Sequence, residues 1–206
     1  MDTMRIISCR CEKSFDADLP EEIDLDREPE TLEAILSGDF LAVTCPHCGE
    51  RIKPDIPVSL HSHREGLTLR VLPETERASW LDGTSALPKD VDVLIGYAEL
   101  YERVLIVKDG FDYRAIEILK YFILAKALEN AGETAETPRV QYRGRTAEGR
   151  LSFGIMGLRE GELALLALPY DRYEKALKEM TGLASTEPYS IFLLGPYKYV
   201  RALETF

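Results

Sequence analysis

Apolar residues recur in short runs or with period two over the first third of this chain, and with helical period from Tyr97 to Asn130. Met4 to Ile7 is mostly apolar, with β-branched Ile6 and Ile7, and reads as a short strand. An acidic stretch runs from Phe15 through Glu30. The segment from Pro29 to Gly38 then carries helix punctuation: proline early, acids in the first turn, glycine just past the end. Leu32, Ile35 and Leu36 give this short helix one apolar face. Phe40 to Thr44, Ile52 to Leu60 and Leu67 to Leu72 read as further strands. Pro54 and Pro57 interrupt the middle one, as they would an edge strand. From Pro73 to Asp90 the periodicity fails, with Asp82, Gly83, Pro88 and Asp90 marking a loop.

The second half has a different rhythm. Tyr97, Leu100, Tyr101, Val104, Leu105 and Val107 fall at helical spacing, and Lys108-Asp109-Gly110 ends that helix. Asp112 can cap the next, which carries Ile116, Leu119, Phe122, Ile123 and Leu128. Ala131 to Thr137 is a breaker. Three period-two runs follow: Val140 to Gly144, Leu151 to Ile155, and Leu163 to Ala167, with turn signals at Glu148-Gly149 and Glu160-Gly161. They predict an antiparallel meander. Tyr170, Tyr173, Ala176, Leu177 and Met180 predict an amphipathic helix, and Tyr189 to Leu194 a last strand. The fold class is α+β: a small β-rich module with an inserted short helix, then helices packed on an antiparallel sheet. The expected division is 1–76, a linker at 77–90, and 91–206.

Four cysteines, the chain's full complement, change the picture of the first module. They form two close pairs, Cys9-Arg10-Cys11 and Cys45-Pro46-His47-Cys48-Gly49. Two pairs of thiolates complete a tetrahedral sulfur shell, the architecture of a structural zinc site. Pro46 presets the turn's φ, and Gly49 allows a left-handed φ after the second ligand. Backbone N–H groups of such a turn can point at the thiolates. Cys9, Cys11, Cys45 and Cys48 are therefore the candidate metal ligands, with Zn2+ as the expected structural ion; four thiolates also suit mononuclear iron. A redox dithiol and a disulfide pair are the weaker readings. Thioredoxin-like use expects a single Cys-x-x-Cys at a helix start within a βαβ pattern.

Charge narrows the partners. The formal charge is -11. Nucleic-acid affinity is dominated by Lys and Arg neutralising phosphates, so a nucleic-acid-binding ribbon is disfavoured. Arg139, Arg143, Arg145 and Arg150 cluster, and read as a solvated sheet face. The start of the chain shows no signal peptide, and its apolar runs are too short to cross a bilayer, so a cytoplasmic protein is expected. In that compartment thiols stay reduced, which favours metal over disulfide.

The stretch from Met4 to about Glu76 resembles the CpXC domain, a bacterial family named for two short cysteine motifs containing proline. Cys45-Pro46-His47-Cys48-Gly49 matches the motif, and Ser37-Gly38-Asp39-Phe40 and Val71-Leu72-Pro73-Glu74 are similar to the family. Cys9-Arg10-Cys11 departs from it, lacking the proline and one residue. The second half resembles the C-terminal extension carried by some members. The resemblance implies metal binding and assigns no activity.

Other candidates are plainer. His47 reads as an inert knuckle residue. His61 and His63 alternate on a predicted strand and read as half-exposed histidines without accompanying ligands. The acids from Asp16 to Glu30 lack calcium-loop spacing. Tyr97, Tyr101, Tyr113 and Tyr121 read as packing residues. Phosphate-loop, dinucleotide and nucleophile-elbow fingerprints are absent. The sequence therefore favours a protein-interaction or assembly module over an enzyme. A thiol-based redox or metal-dependent enzyme is the alternative.

Overall fold

The structure, a computed structural model, describes residues 2–82, 91–130 and 138–205. The expected breaker at 131–137 and most of the expected linker, 83–90, lie outside them. The chain divides into two compact units, Met1–Tyr101 and Glu102–Phe206. No helix among the described residues is long and apolar enough to cross a membrane.

The N-terminal unit opens with a hairpin of β1 (Asp2–Ser8) and β2 (Ser14–Pro20), paired from Asp2↔Pro20 to Ser8↔Ser14. β2 lies inside the acidic stretch. Ala17 and Leu19 point inward and are buried, while Asp16 and Asp18 face water. The alternation was present in the sequence but masked by the acids on its solvent face. β3 (Glu22–Asp24) continues the chain into α1 (Glu30–Ser37), which buries Thr31 and Ile35 and ends on Gly38 at φ 80. Of the expected strand at 40–44, only β4 (Val43–Thr44) forms, paired with β5 (Arg51–Ile52). Leu41, at φ 55, leaves the extended region just before it.

β6 (Val58–Ser62) and β7 (Leu67–Leu72) make the next hairpin; the strand expected from Ile52 is lost between the two prolines. Asp26 secures its turn, accepting from Ser62 Oγ at 2.6 Å and the His63 N–H at 2.8 Å. β3 adds to β6 in parallel, so α1 and the β4–β5 hairpin together form the crossover between neighbouring strands. A short 3-10 turn (Glu74–Glu76) and α2 (Arg77–Leu81) follow. β8 (Asp92–Ile95) then pairs in parallel with β7, giving the order β3-β6-β7-β8.

β8 is why the first unit runs to Tyr101, past the division expected at 77–90. Val93, Leu94 and Ile95 are fully buried beside Leu69 and Val71. Such a continuous apolar run is what a strand covered on both faces requires. A buried ion pair ties the returning chain down. Arg77 Nη2 lies 2.8 Å from Glu99 Oε1 and donates to the Ile95 carbonyl at 2.9 Å, and Glu99 Oε2 accepts from the Ile95 N–H at 2.8 Å.

Helix α3 (Tyr97–Lys108) crosses the division, and α4 (Tyr113–Asn130) begins where expected, Asp112 Oδ1 accepting from the Arg114 N–H. The C-terminal unit is a three-stranded antiparallel sheet, β9 (Arg139–Arg145), β10 (Leu151–Met156) and β11 (Leu163–Leu168), in the order β11-β10-β9. Its inner face packs with α4 and α5 (Tyr170–Leu183) around Tyr142, Phe153 and Ile116. The predicted last strand is instead α6 (Tyr189–Leu193). Helical spacing puts Phe192 and Leu193 into the core, with Tyr189 and Phe192 against the Tyr121 ring. A 3-10 segment (Val200–Thr205) ends the described chain.

Candidate metal centre

The two cysteine pairs sit in the turns of two hairpins, and the turns share one plan. In the first, joining β1 to β2, the Cys9 N–H donates to the Lys13 carbonyl at 2.9 Å and the Glu12 N–H to the Cys9 carbonyl at 3.0 Å. In the second, joining β4 to β5, the Cys45 N–H donates to the Glu50 carbonyl at 2.8 Å and the Gly49 N–H to the Cys45 carbonyl at 2.9 Å. Each turn places a left-handed residue directly after its second cysteine: Glu12 at φ 65 and Gly49 at φ 76. The shorter first motif is thus the same knuckle closed one residue earlier. Glu12 accepts a conformation that glycine adopts without cost.

The knuckles bring all four sulfurs within 4.8 Å of one another. Cys9 Sγ stands 3.6 Å from Cys48 Sγ, and Cys11 Sγ 3.9 Å from Cys45 Sγ. A tetrahedral ion with metal–sulfur bonds of about 2.3 Å spaces its ligands about 3.8 Å apart. The donor set and its spacing therefore fit a four-thiolate metal ion, and no S–S bond links any of the cysteines. Cys9 and Cys45 are buried, Cys11 is half-buried and Cys48 is exposed, so the site has an inner side and a rim.

Backbone amides aim at the sulfurs. The Cys11 N–H faces Cys9, those of His47 and Cys48 face Cys45, and that of Glu50 faces Cys48. At Cys9 the Cys11 amide favours the thiolate. Burial and the neighbouring Cys48, Cys11 and Cys45 sulfurs outweigh it and push the thiol up to about 12. At Cys45 burial raises the thiol, but the two amides and hydrogen bonds from Cys9 and Cys48 bring it down to about 7. Four thiolates this close repel one another, so without a cation only part of the cluster ionises. A bound cation reverses this and displaces protons. Glu50 was not visible as part of the site from sequence. Its Oε2 lies 3.5 Å from Cys9 Sγ, and Oε1 lies 4.0 Å from the Arg10 guanidinium.

The other sequence candidates are dispersed. His47 is exposed on its knuckle. His61 lies on β6, each ring nitrogen 3.7 Å from a carboxylate oxygen, of Glu22 and of Asp24. His63 lies beyond the strand, in the turn held by Asp26. Among the described residues, the four cysteines alone form a metal-competent cluster. Arg139 and Arg143 face water, whereas the Arg145 guanidinium lies 4.4 Å from the Phe111 ring centre and Arg150 Nη2 donates to the Ala167 carbonyl. Tyr97 turns its hydroxyl to the Pro54 carbonyl at 2.9 Å.

One group of buried charges escaped the sequence reading. Lys120, fully buried in α4, lies 3.0 Å from Glu102 and 2.8 Å from Glu117, which are buried as well. Glu102 also accepts from the Tyr142 N–H at 2.6 Å and from the Tyr199 hydroxyl, and Glu117 from the Val200 N–H at 2.7 Å. The lysine Nζ stands 3.7 Å over the Tyr199 ring. Burial pushes the Glu117 carboxyl up to about 7 against the pull of Lys120. The available signal was charged residues on helices apolar all round, where each charge must find a buried partner. The triad joins α3, α4, β9 and the C-terminal 3-10 segment, so it organises the unit.

Two cysteine knuckles on a β-rich unit, followed by an α+β unit, define a four-cysteine ribbon-like protein with a metal-competent sulfur cluster. The family model described as CpXC protein matches residues 7–120, more than half of the chain. The chain belongs to the CpXC family. The match runs well past Glu76 and includes both knuckles, all of β8 and α3, and part of α4. A protein of Treponema pallidum (strain Nichols), described as uncharacterised, is 31% identical over 210 residues, covering 94% of this chain and 95% of the relative. No solved structure matches.

Proposed function

We propose that the protein is a zinc-held interaction or assembly module whose partner is another protein. The carrying observation is the four-sulfur cluster at tetrahedral spacing, drawn from two turns far apart in sequence. Four protein ligands close a structural site and leave no position for a substrate or an activated water. Zinc bound there would link the two hairpins and supply folding energy that so small a unit otherwise lacks. The acidic charge supports a protein partner over nucleic acid. A thiolate-held ion suits a reducing compartment such as the cytoplasm.

Cys45→Ser tests this reading. The expected result is loss of bound metal together with loss of protease resistance in the N-terminal unit. A variant that melts and resists protease as the parent does would sink the structural role. A thiol-redox role draws on the exposed Cys48 and on Cys45, held near 7 without metal. Thiol titration separates the two: four slow, metal-protected thiols support the module, and one fast thiol supports redox chemistry.

A further inference from the structure

The sheet of the C-terminal unit breaks, along β11 and the end of β10, the usual rule for a sheet with one face in water. Its inner face is in the core. Its outer face should be polar. β9 obeys, presenting Arg139, Gln141 and Arg143 outward. β11 does not. Leu163 and Leu165 point outward, 47% and 71% exposed, and Met156, the β10 residue paired with Leu163, is 41% exposed. Gly154, between these columns, has no side chain. A Cβ there would stand 3.1 Å from Leu163 and 3.4 Å from Arg143, which lean over it from either side. The result is an apolar column beside a basic one. Among the described residues no carboxylate pairs with Arg139 or Arg143; the latter meets only the Gln141 amide oxygen, at 3.3 Å.

We infer that this outer face is a docking surface for an acidic amphipathic helix of a partner protein. The helix's leucine-type stripe would cover Met156, Leu163 and Leu165, and its acidic flank would face Arg139 and Arg143. The inference gives the interaction reading above a surface, and rests on it for the existence of a protein partner. Dimensions and charge both favour a helix. Strands spaced about 4.8 Å apart put the basic column roughly 10 Å from the apolar one. A helix is about 10 Å across with its side chains and reaches both at once. A strand added beside β11 would lie farther still from the arginines. The charge is local: the face is basic on a chain of net charge -11, so only an acidic flank complements it. A second copy fits poorly. Face-to-face packing sets each arginine column against its twin or against leucines; the carboxylates nearest the apolar column, Glu160 and Glu162, lie in the β10–β11 turn beyond its end, and Glu162 already stands 3.7 Å from Arg159.

The test uses the full, metal-loaded chain and two synthetic helical peptides, leucines along one face, with glutamates elsewhere in one and lysines in the other. Fluorescence anisotropy near physiological salt reads their affinities. The net charge of the protein alone predicts that the lysine peptide binds better. The docking face predicts the reverse, by about tenfold or more. Leu165→Glu should weaken the glutamate peptide by a similar factor, and Arg143→Glu should invert the preference. Both residues are solvent-exposed, and unchanged melting confirms that the variants fold. Equal affinities, a preference for the lysine peptide, or binding untouched by either variant overturns the inference. So does a dimer that Leu165→Glu dissolves, or tighter binding of an extended peptide alternating valine and glutamate. No peptide binding to folded, metal-loaded protein removes the docking face and leaves the zinc-held module standing. Normal binding by protein that carries no metal does the opposite.

Discussion

Lys120→Met isolates the electrostatic economy of the C-terminal unit. The lysine is fully buried, its ammonium between the Glu102 and Glu117 carboxylates at 3.0 and 2.8 Å. Methionine fills nearly the same space, so the cavity cost is small and the change is mainly one of charge. It leaves Glu102 and Glu117 in the core without their cation, so Glu117, already pushed up to about 7, must take a proton or repel Glu102, although the Tyr142 and Val200 amides and the Tyr199 hydroxyl still donate to the pair. Removing one member of a buried ion pair costs about 3–5 kcal/mol, a large part of a typical domain's total stability of about 5–15 kcal/mol. Urea unfolding followed by hydrogen exchange in α4 reads the loss. The chain's single tryptophan, Trp80, belongs to the other unit and serves as its internal control. The double variant Glu117→Leu, Lys120→Met should recover part of the loss, because it restores a balance of one buried charge held by two donors. A Lys120→Met protein within about 1 kcal/mol of the parent would show that the buried triad is not electrostatically coupled, since surface pairs, not buried ones, have that value.

Three further outcomes follow from the geometry. Gly49→Val should destabilise the second knuckle by about 1–2 kcal/mol through its φ of 76 alone, the space around it being open, whereas Glu12→Gly should be neutral or mildly stabilising; thermal melts of both, metal-loaded, check the contrast. Glu117 titrates at about 7 in the folded protein against 4.5 ordinarily, so it binds its proton more tightly when folded. Its contribution is complete below about 4.5 and is lost as pH rises through about 7; Glu117→Gln should flatten that fall in urea stability, and an unchanged slope would count against a buried titrating carboxyl. Asp26→Ala removes the acceptor for Ser62 Oγ and the His63 amide, and should cost about 1–3 kcal/mol and speed hydrogen exchange at the β6–β7 turn.

What could be read before the structure divides along physical lines. The four cysteines were legible because a knuckle is local: ligand spacing, Pro46 and Gly49 all lie within five residues. Helices α3 and α4 and the β9–β11 meander were legible because apolar period and turn residues agree there. β2 was hidden because its outward positions are acids, which made an alternating strand look like a charged insertion. β8 was hidden because a short apolar run has no period of its own, and it becomes a strand by pairing with β7. Tyr189 to Leu194 reads as a strand in the sequence, and tertiary packing of Phe192 and Leu193 makes Tyr189–Leu193 a helix. The Glu102–Lys120–Glu117 triad leaves only the signal of charges within apolar helices, and its pairing is not legible, since two of its members are on one helix and the third is on another, and only the fold brings them together.

One structural metal ion held by Cys9, Cys11, Cys45 and Cys48 is the proposal on which the rest depends. Elemental mass spectrometry of protein purified without added metal or chelator, beside a count of reactive thiols, tests it most directly. The expected result is about one zinc per chain and thiols that react only after chelation or unfolding. A folded protein with no metal and freely reacting thiols would contradict it and make the two knuckles a redox device.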